Sequence, residues 1–88
     1  MVDSKYNKQL EKKLKHDPNN VKILIELGYM NIMETGDHDL SLKFLNQALK
    51  LEPNNTNALF WLSNAYYHCF YDEGKSKKIL NQALKINP

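Results

Sequence analysis

Apolar and small residues recur along this chain at i, i+3 and i+4, the spacing that lines up one face of an α-helix. Val21, Leu24, Leu27, Gly28, Asn31 and Ile32 form one such stripe, and Leu40, Phe44, Leu45, Ala48, Leu49 and Leu51 form a second. Gly36 ends the first helix, Asp37 is placed to cap the next, and Pro53 stops it. The pattern then returns with Leu59, Leu62, Ser63, Tyr66 and Tyr67, followed by Ile79, Leu80, Ala83, Leu84 and Ile86. Between this second pair, Phe70-Tyr71-Asp72-Glu73-Gly74 offers a less clean stop, and an irregular turn is expected there.

The text repeats along with the pattern. Prolines stand at 18, 53 and 88, each 35 residues after the last, and seven of nine positions are identical between Leu45–Pro53 and Leu80–Pro88. Asn19-Asn20 likewise returns as Asn54-Asn55. The 88 residues therefore divide into a leader, 1–18, and two helical-hairpin repeats, 19–53 and 54–88. Small residues fall where the helices of each hairpin should cross: Gly28 and Ser63 on the first helix, Ser41 with Ala48 and Ser76 with Ala83 on the second. Leu10, Leu14, Lys15 and Pro18 of the leader match Leu45, Leu49, Lys50 and Pro53, but Gln9 and Lys13 replace Phe44 and Ala48. That is the pattern of a degenerate second helix made polar to end a stack. Five helices are expected. The fifth should expose part of its apolar face, for a continuation of the chain or a partner to cover.

Leu24-x-x-Leu27-Gly28, Gly36-Asp37, Ala48-Leu49-x-Leu51-x-Pro53-Asn54-Asn55, Leu62-x-Asn64-Ala65-Tyr66-Tyr67 and Ala83-Leu84-x-Ile86-x-Pro88 together resemble the tetratricopeptide repeat, over residues 19–88. The departures are a period one residue longer than the family's, Leu24 and Leu59 in place of an aromatic residue, and Asn31 where the family prefers tyrosine. The resemblance implies an all-α, right-handed α-α superhelix of antiparallel hairpins, whose first helices line a concave groove that holds a peptide segment or partner helix. Carried over position by position, the groove residues are Lys22, Ile25, Tyr29 and Met33 in the first repeat. In the second they are Asn57, Phe60, Asn64, Tyr67 and His68, with the Asn64 amide able to grip a peptide backbone through both donor and acceptor. Ile25, Met33 and Phe60 would serve equally well as packing against a neighbouring helix. The carboxylate clamp of chaperone-binding members is not expected, because Ile25, Tyr29 and Trp61 occupy its lysine and asparagine positions. The layout also resembles repeat domains of bacterial cytochrome c assembly factors, a periplasmic alternative to the cytoplasmic location otherwise expected.

Charge narrows the partner. All 12 basic residues are lysines. Residues 21–73 carry three lysines against seven acids, whereas 1–20 carry five against three and 74–88 four against none. An acidic middle between basic ends makes no continuous anion-binding stripe, and without arginine there is no bidentate fork for phosphate or guanine. The one competing reading, an RNA-binding pentatricopeptide-like domain, has only the 35-residue period in its favour and would show steeply salt-dependent binding. The longest apolar run, Ala58 to Leu62, is far short of the roughly 20 residues a membrane span needs, and residues 1–13 have lysines with no apolar core of a signal peptide behind them. Cys69 is the only cysteine, so no internal disulfide forms.

Candidate chemistry dissolves residue by residue. His68 and Cys69 are helical neighbours about 100° apart and cannot ligate one metal together. Gly74-Lys75-Ser76 lacks the strand and the earlier glycine of a phosphate loop, that place being Cys69. Asp37, Asp39, Asp72 and Glu73 sit where acids cap helix N-termini, and the sequon Asn54-Asn55-Thr56 reads as a further cap. No catalytic set, metal or cofactor is expected. The partner expected is a protein or peptide, not nucleic acid or membrane, with self-association through the fifth helix as a further possibility.

Overall fold

The computed structural model describes residues 5–87. Five α-helices follow one another over these residues: α1 (Lys5–His16), α2 (Val21–Met30), α3 (His38–Leu51), α4 (Thr56–Asn64) and α5 (Glu73–Ile86). α2 and α4 each run on into a π-helical turn, Asn31–Thr35 and Ala65–Cys69. α2 packs against α3 and α4 against α5 as two hairpins, with α1 laid on α2 and α4 on α3. The described residues are thus all-α, a stack of antiparallel hairpins with the tetratricopeptide-like layout.

Every helix from α2 onward begins with the same device. The side-chain oxygens of Asn20, Asp37, Asn55 and Asp72 accept from the backbone N–H three residues on, at 3.1, 3.1, 3.0 and 3.0 Å. Each satisfies one of the four N–H groups a helix start leaves open, worth about 1 kcal/mol. Pro18 and Pro53 hold the second place of four-residue turns, closed by Asn20 N–H on the Asp17 carbonyl and Asn55 N–H on the Glu52 carbonyl, both 3.1 Å. The pyrrolidine ring fixes φ at the value this position requires. The same asparagines reach back through Nδ2 to the Asp17 and Glu52 carboxylates at 3.0 Å, so each Pro-Asn-Asn both turns the chain and starts the next helix.

Inside each hairpin the helices meet almost backbone to backbone. A Cβ on Gly28 would lie 2.5 Å from Cγ and Cδ2 of Leu45. The Ser41 hydroxyl donates to the Gly28 carbonyl at 2.8 Å. One repeat later Ser63 stands for Gly28 and Ser76 for Ser41, and the two serines donate to each other's carbonyls at 3.0 and 2.9 Å. These hydroxyls are buried, so the carbonyls they find remove a desolvation cost of about 1–3 kcal/mol each. Leu10, Leu24, Leu27, Met30, Phe44, Ala48 and Ala58, drawn from four helices, close the core around the first crossing.

The extra residue of the 35-residue period is absorbed where α2 and α4 end. A π turn closes on the fifth residue rather than the fourth and so houses one more; Phe70 N–H reaches the Ala65 carbonyl at 3.3 Å. In the first hairpin Asn31 is buried within this turn, its Nδ2 on the Leu27 carbonyl at 2.7 Å and its Oδ1 accepting from Thr35 Oγ1 at 2.6 Å. The chain then leaves through Gly36 at φ +72°. The equivalent residue of the second hairpin is Tyr71, at φ +54° and 86% exposed. This is the irregularity expected between Phe70 and Gly74: a left-handed position filled by a residue whose Cβ crowds the following carbonyl, at a cost of about 1–2 kcal/mol. Tyr71→Gly should therefore raise stability by about 1 kcal/mol, and Gly36→Ala should lower it by a similar amount, both read as shifts of the urea midpoint at constant m-value.

Candidate functional site

A groove of about 480 Å³ runs between α2 and α4. Val21, Lys22, Ile25, Glu26 and Tyr29 line it from α2, Asn57 and Trp61 from α4, and Glu52 and Asn55 from the turn between the hairpins. Its centre is aromatic. The Tyr29 and Trp61 rings stack with centroids 5.0 Å apart and planes inclined by 23°, and Phe60 meets Trp61 edge-on at 5.5 Å. Such a pair contributes about 0.5–1.5 kcal/mol beyond its buried area. It also leaves two half-buried rings in the groove wall.

α1 is tied in beside this groove. The Tyr6 hydroxyl donates to Glu26 Oε2 at 2.7 Å. That bond, and then the negative charge of Glu26, push the Tyr6 phenol above its ordinary value. Glu26 and Glu52 set two carboxylates in the groove lining against the single ammonium of Lys22.

The residues singled out by sequence fall in two places. Lys22, Ile25, Tyr29 and Asn57 share the groove. Tyr67 and His68 line a separate hollow with Tyr71 and Glu73, and the two rings meet edge-on at 4.9 Å. Phe60 is half exposed and flanks Trp61. Asn64 commits its amide to its own helix, Nδ2 donating to the Phe60 carbonyl at 3.0 Å. Met33 is exposed on the π turn. The division has a physical cause: the stripe of α4 holds α-helical spacing up to Asn64, and the wider turn that follows carries Tyr67 and His68 off it. Glu26 and Trp61 were not among the residues picked for the groove, although each stands four places after one that was, Lys22 and Asn57, and so on the same helix face.

Other candidates resolve as structure. Asp37 and Asp72 are caps, as is Asn55 of the sequon. His38 lies edge-on to Phe70 at 6.0 Å. Partial burial pushes the Cys69 thiol up, away from the thiolate a nucleophile needs. Among the described residues no three His, Cys, Asp or Glu side chains converge as a metal site, and no helix is long and apolar enough to cross a membrane.

A family model described as tetratricopeptide repeat matches residues 21–55, the span from the first residue of α2 through α3 to the cap of α4. Residues 21–55 are thus similar to a tetratricopeptide repeat. No curated protein matches it. Tetratricopeptide repeats serve in general as scaffolds for protein interaction, and the matched repeat supplies the whole α2 wall of the groove.

The Tyr6–Glu26 bond makes a pH prediction. A folded-state tyrosine pKa above the unfolded one gives stability that is present below the ordinary tyrosine range and is lost as pH rises through the folded value. In an NMR titration of ring carbons, Tyr6 should titrate above the ordinary tyrosine range, and Glu26→Gln should return it toward that range.

Proposed function

We propose that this protein is a non-catalytic interaction module that receives a peptide segment or partner helix in the groove between α2 and α4. The observation that carries the reading is the Tyr29–Trp61 stack, two half-buried aromatic rings contributed by neighbouring hairpins and presented beside Lys22, Ile25 and Asn57. Rigid aromatic surface of this kind dominates binding energy at protein interfaces. Residues 19–53 and 54–88 act as two repeats, and 1–18 as the polar helix that ends the stack. The second hairpin supports this division by repeating the caps and the serine crossing of the first. A groove this short suits affinities in the micromolar range, about −8 kcal/mol.

The test is capture of partners from a nuclease-treated lysate, comparing wild type with Trp61→Ala and Tyr29→Ala, each first shown by far-UV circular dichroism to be folded. Partners should survive nuclease, and their affinity should fall at least about tenfold with Trp61→Ala. Captured proteins indifferent to both variants would contradict the assignment of the groove. Nuclease-sensitive capture lost in high salt would replace a protein ligand with RNA.

A further inference from the structure

The groove between α2 and α4 sets two kinds of surface side by side. The Tyr29 and Trp61 rings are half-buried and stacked at 5.0 Å. With them in the lining stand the carboxylates of Glu26, half-buried on α2, and Glu52, exposed in the turn between the hairpins. Each carboxylate has a neutral partner. Glu26 Oε2 accepts from the Tyr6 hydroxyl at 2.7 Å, and Glu52 Oε1 from the Asn55 amide at 3.0 Å. These bonds hold the carboxylates in place and leave both negative charges uncancelled. The one cation of the lining, Lys22, is exposed and precedes Glu26 by one helical turn, the weaker order for a lysine–glutamate pair. Two charges near a protein surface interact about four times as strongly as in bulk water. The half-buried Glu26 therefore governs the potential of the groove more than the solvated Lys22 does.

That combination sorts the ligands that could fill the groove. A purely apolar segment suits the rings but takes water from Glu26 and returns neither charge nor donor, and burying a carboxylate that way is costly. An acidic segment sets like charges together, beside ring faces that are themselves negative. A basic side chain meets both surfaces at once. Its methylenes, or the plane of a guanidinium, lie against the rings while its charge reaches Glu26. Arginine does this better than lysine, because its guanidinium is planar, weakly hydrated and able to fork onto a carboxylate.

Taking the groove between α2 and α4 as the binding site, on which this rests, we propose that its ligand is a basic segment of a partner protein anchored by an arginine. That side chain lies against Tyr29 and Trp61 and pairs with Glu26. Glu52 adds attraction for further basic residues of the same segment.

Selection from a displayed library of short random peptides tests the proposal, followed by anisotropy titration of a labelled selected peptide against wild type and folded variants. Peptides bound by the wild type should be enriched in arginine over the input library. Replacing the anchoring arginine by citrulline, its uncharged isostere, should weaken binding at least about tenfold, and replacing it by lysine about threefold. Glu26→Gln keeps an acceptor for Tyr6 and removes only the charge, and it should weaken the same peptide about tenfold. Lys22→Gln, at an exposed position, should tighten it about threefold, a gain that no folding defect imitates. Peptides that are lost with Trp61→Ala but carry no excess of basic residues, or that ignore Glu26→Gln, would overturn the proposal and leave the groove as the binding site. Peptides indifferent to Trp61→Ala, or the recovery of none, would overturn both. A dimer in sedimentation equilibrium that Trp61→Ala dissociates would give the groove to a second copy and overturn the proposal as well.

Discussion

Close approach of paired helices is the constraint on which the rest of this molecule depends. At Gly28 there is no room for a Cβ, because Leu45 fills the space and is itself fully buried with nowhere to swing. Ser41, Ser63 and Ser76 occupy the other crossing positions, small enough to admit the neighbouring backbone and polar enough to bond to it. Apolar burial supplies most of the driving force in a chain of this size, but it is non-directional. The serine-to-carbonyl bonds and the missing side chain of Gly28 fix where along the helices the two members of a hairpin meet. Once those positions are fixed, α4 lies on α3 and also reaches α2, and Tyr29 comes to stack on Trp61.

The two hairpins, their crossing residues and their caps were legible in the sequence because each rests on local chemistry. An asparagine or aspartate at a helix start, a proline second in a turn and a small residue at a fixed interval have the same meaning wherever they stand. Asn31 was legible as a core position, but the partners that make its burial tolerable, the Leu27 carbonyl and Thr35, were not. The π turns escaped for a simple reason. Counting at 100° per residue assumes constant winding, and a local widening changes every direction downstream of it, which is why Tyr67 and His68 leave the face shared by Asn57 and Trp61. Tyr71 gave no sign of its left-handed backbone because its side chain faces solvent and belongs to no stripe. The groove was half legible: Lys22, Ile25 and Tyr29 of its α2 wall were implied by the resemblance to the tetratricopeptide repeat, whereas Trp61 became its central feature only when Tyr29 was found against it.

The surfaces left by this packing differ in chemistry. The groove is aromatic, with two carboxylates against one lysine and with α1 fastened to its border through Tyr6 and Glu26. On α5, Leu80, Leu84 and Ile86 are exposed, and four lysines are spread around the helix. Substitutions at equivalent positions, such as Trp61 for Glu26 and Lys77 for Leu42, thus give one architecture two dissimilar surfaces. The helices that carry them keep nearly the same caps and crossings throughout.

The most direct test of the close-approach constraint is a double-mutant cycle on Gly28 and Leu45, with stability read from urea unfolding. Alone, Gly28→Ala should destabilise the protein by about 1–3 kcal/mol, since overpacking outweighs the gain in helix propensity. In a Leu45→Ala background the space is open, and the same change should become stabilising by up to about 1 kcal/mol, the helix preference of alanine over glycine. A reversal of sign between the two backgrounds is the predicted result. Equal effects in both, additive within about 0.5 kcal/mol, would contradict the account by showing that Gly28 and Leu45 do not set the approach of α2 to α3.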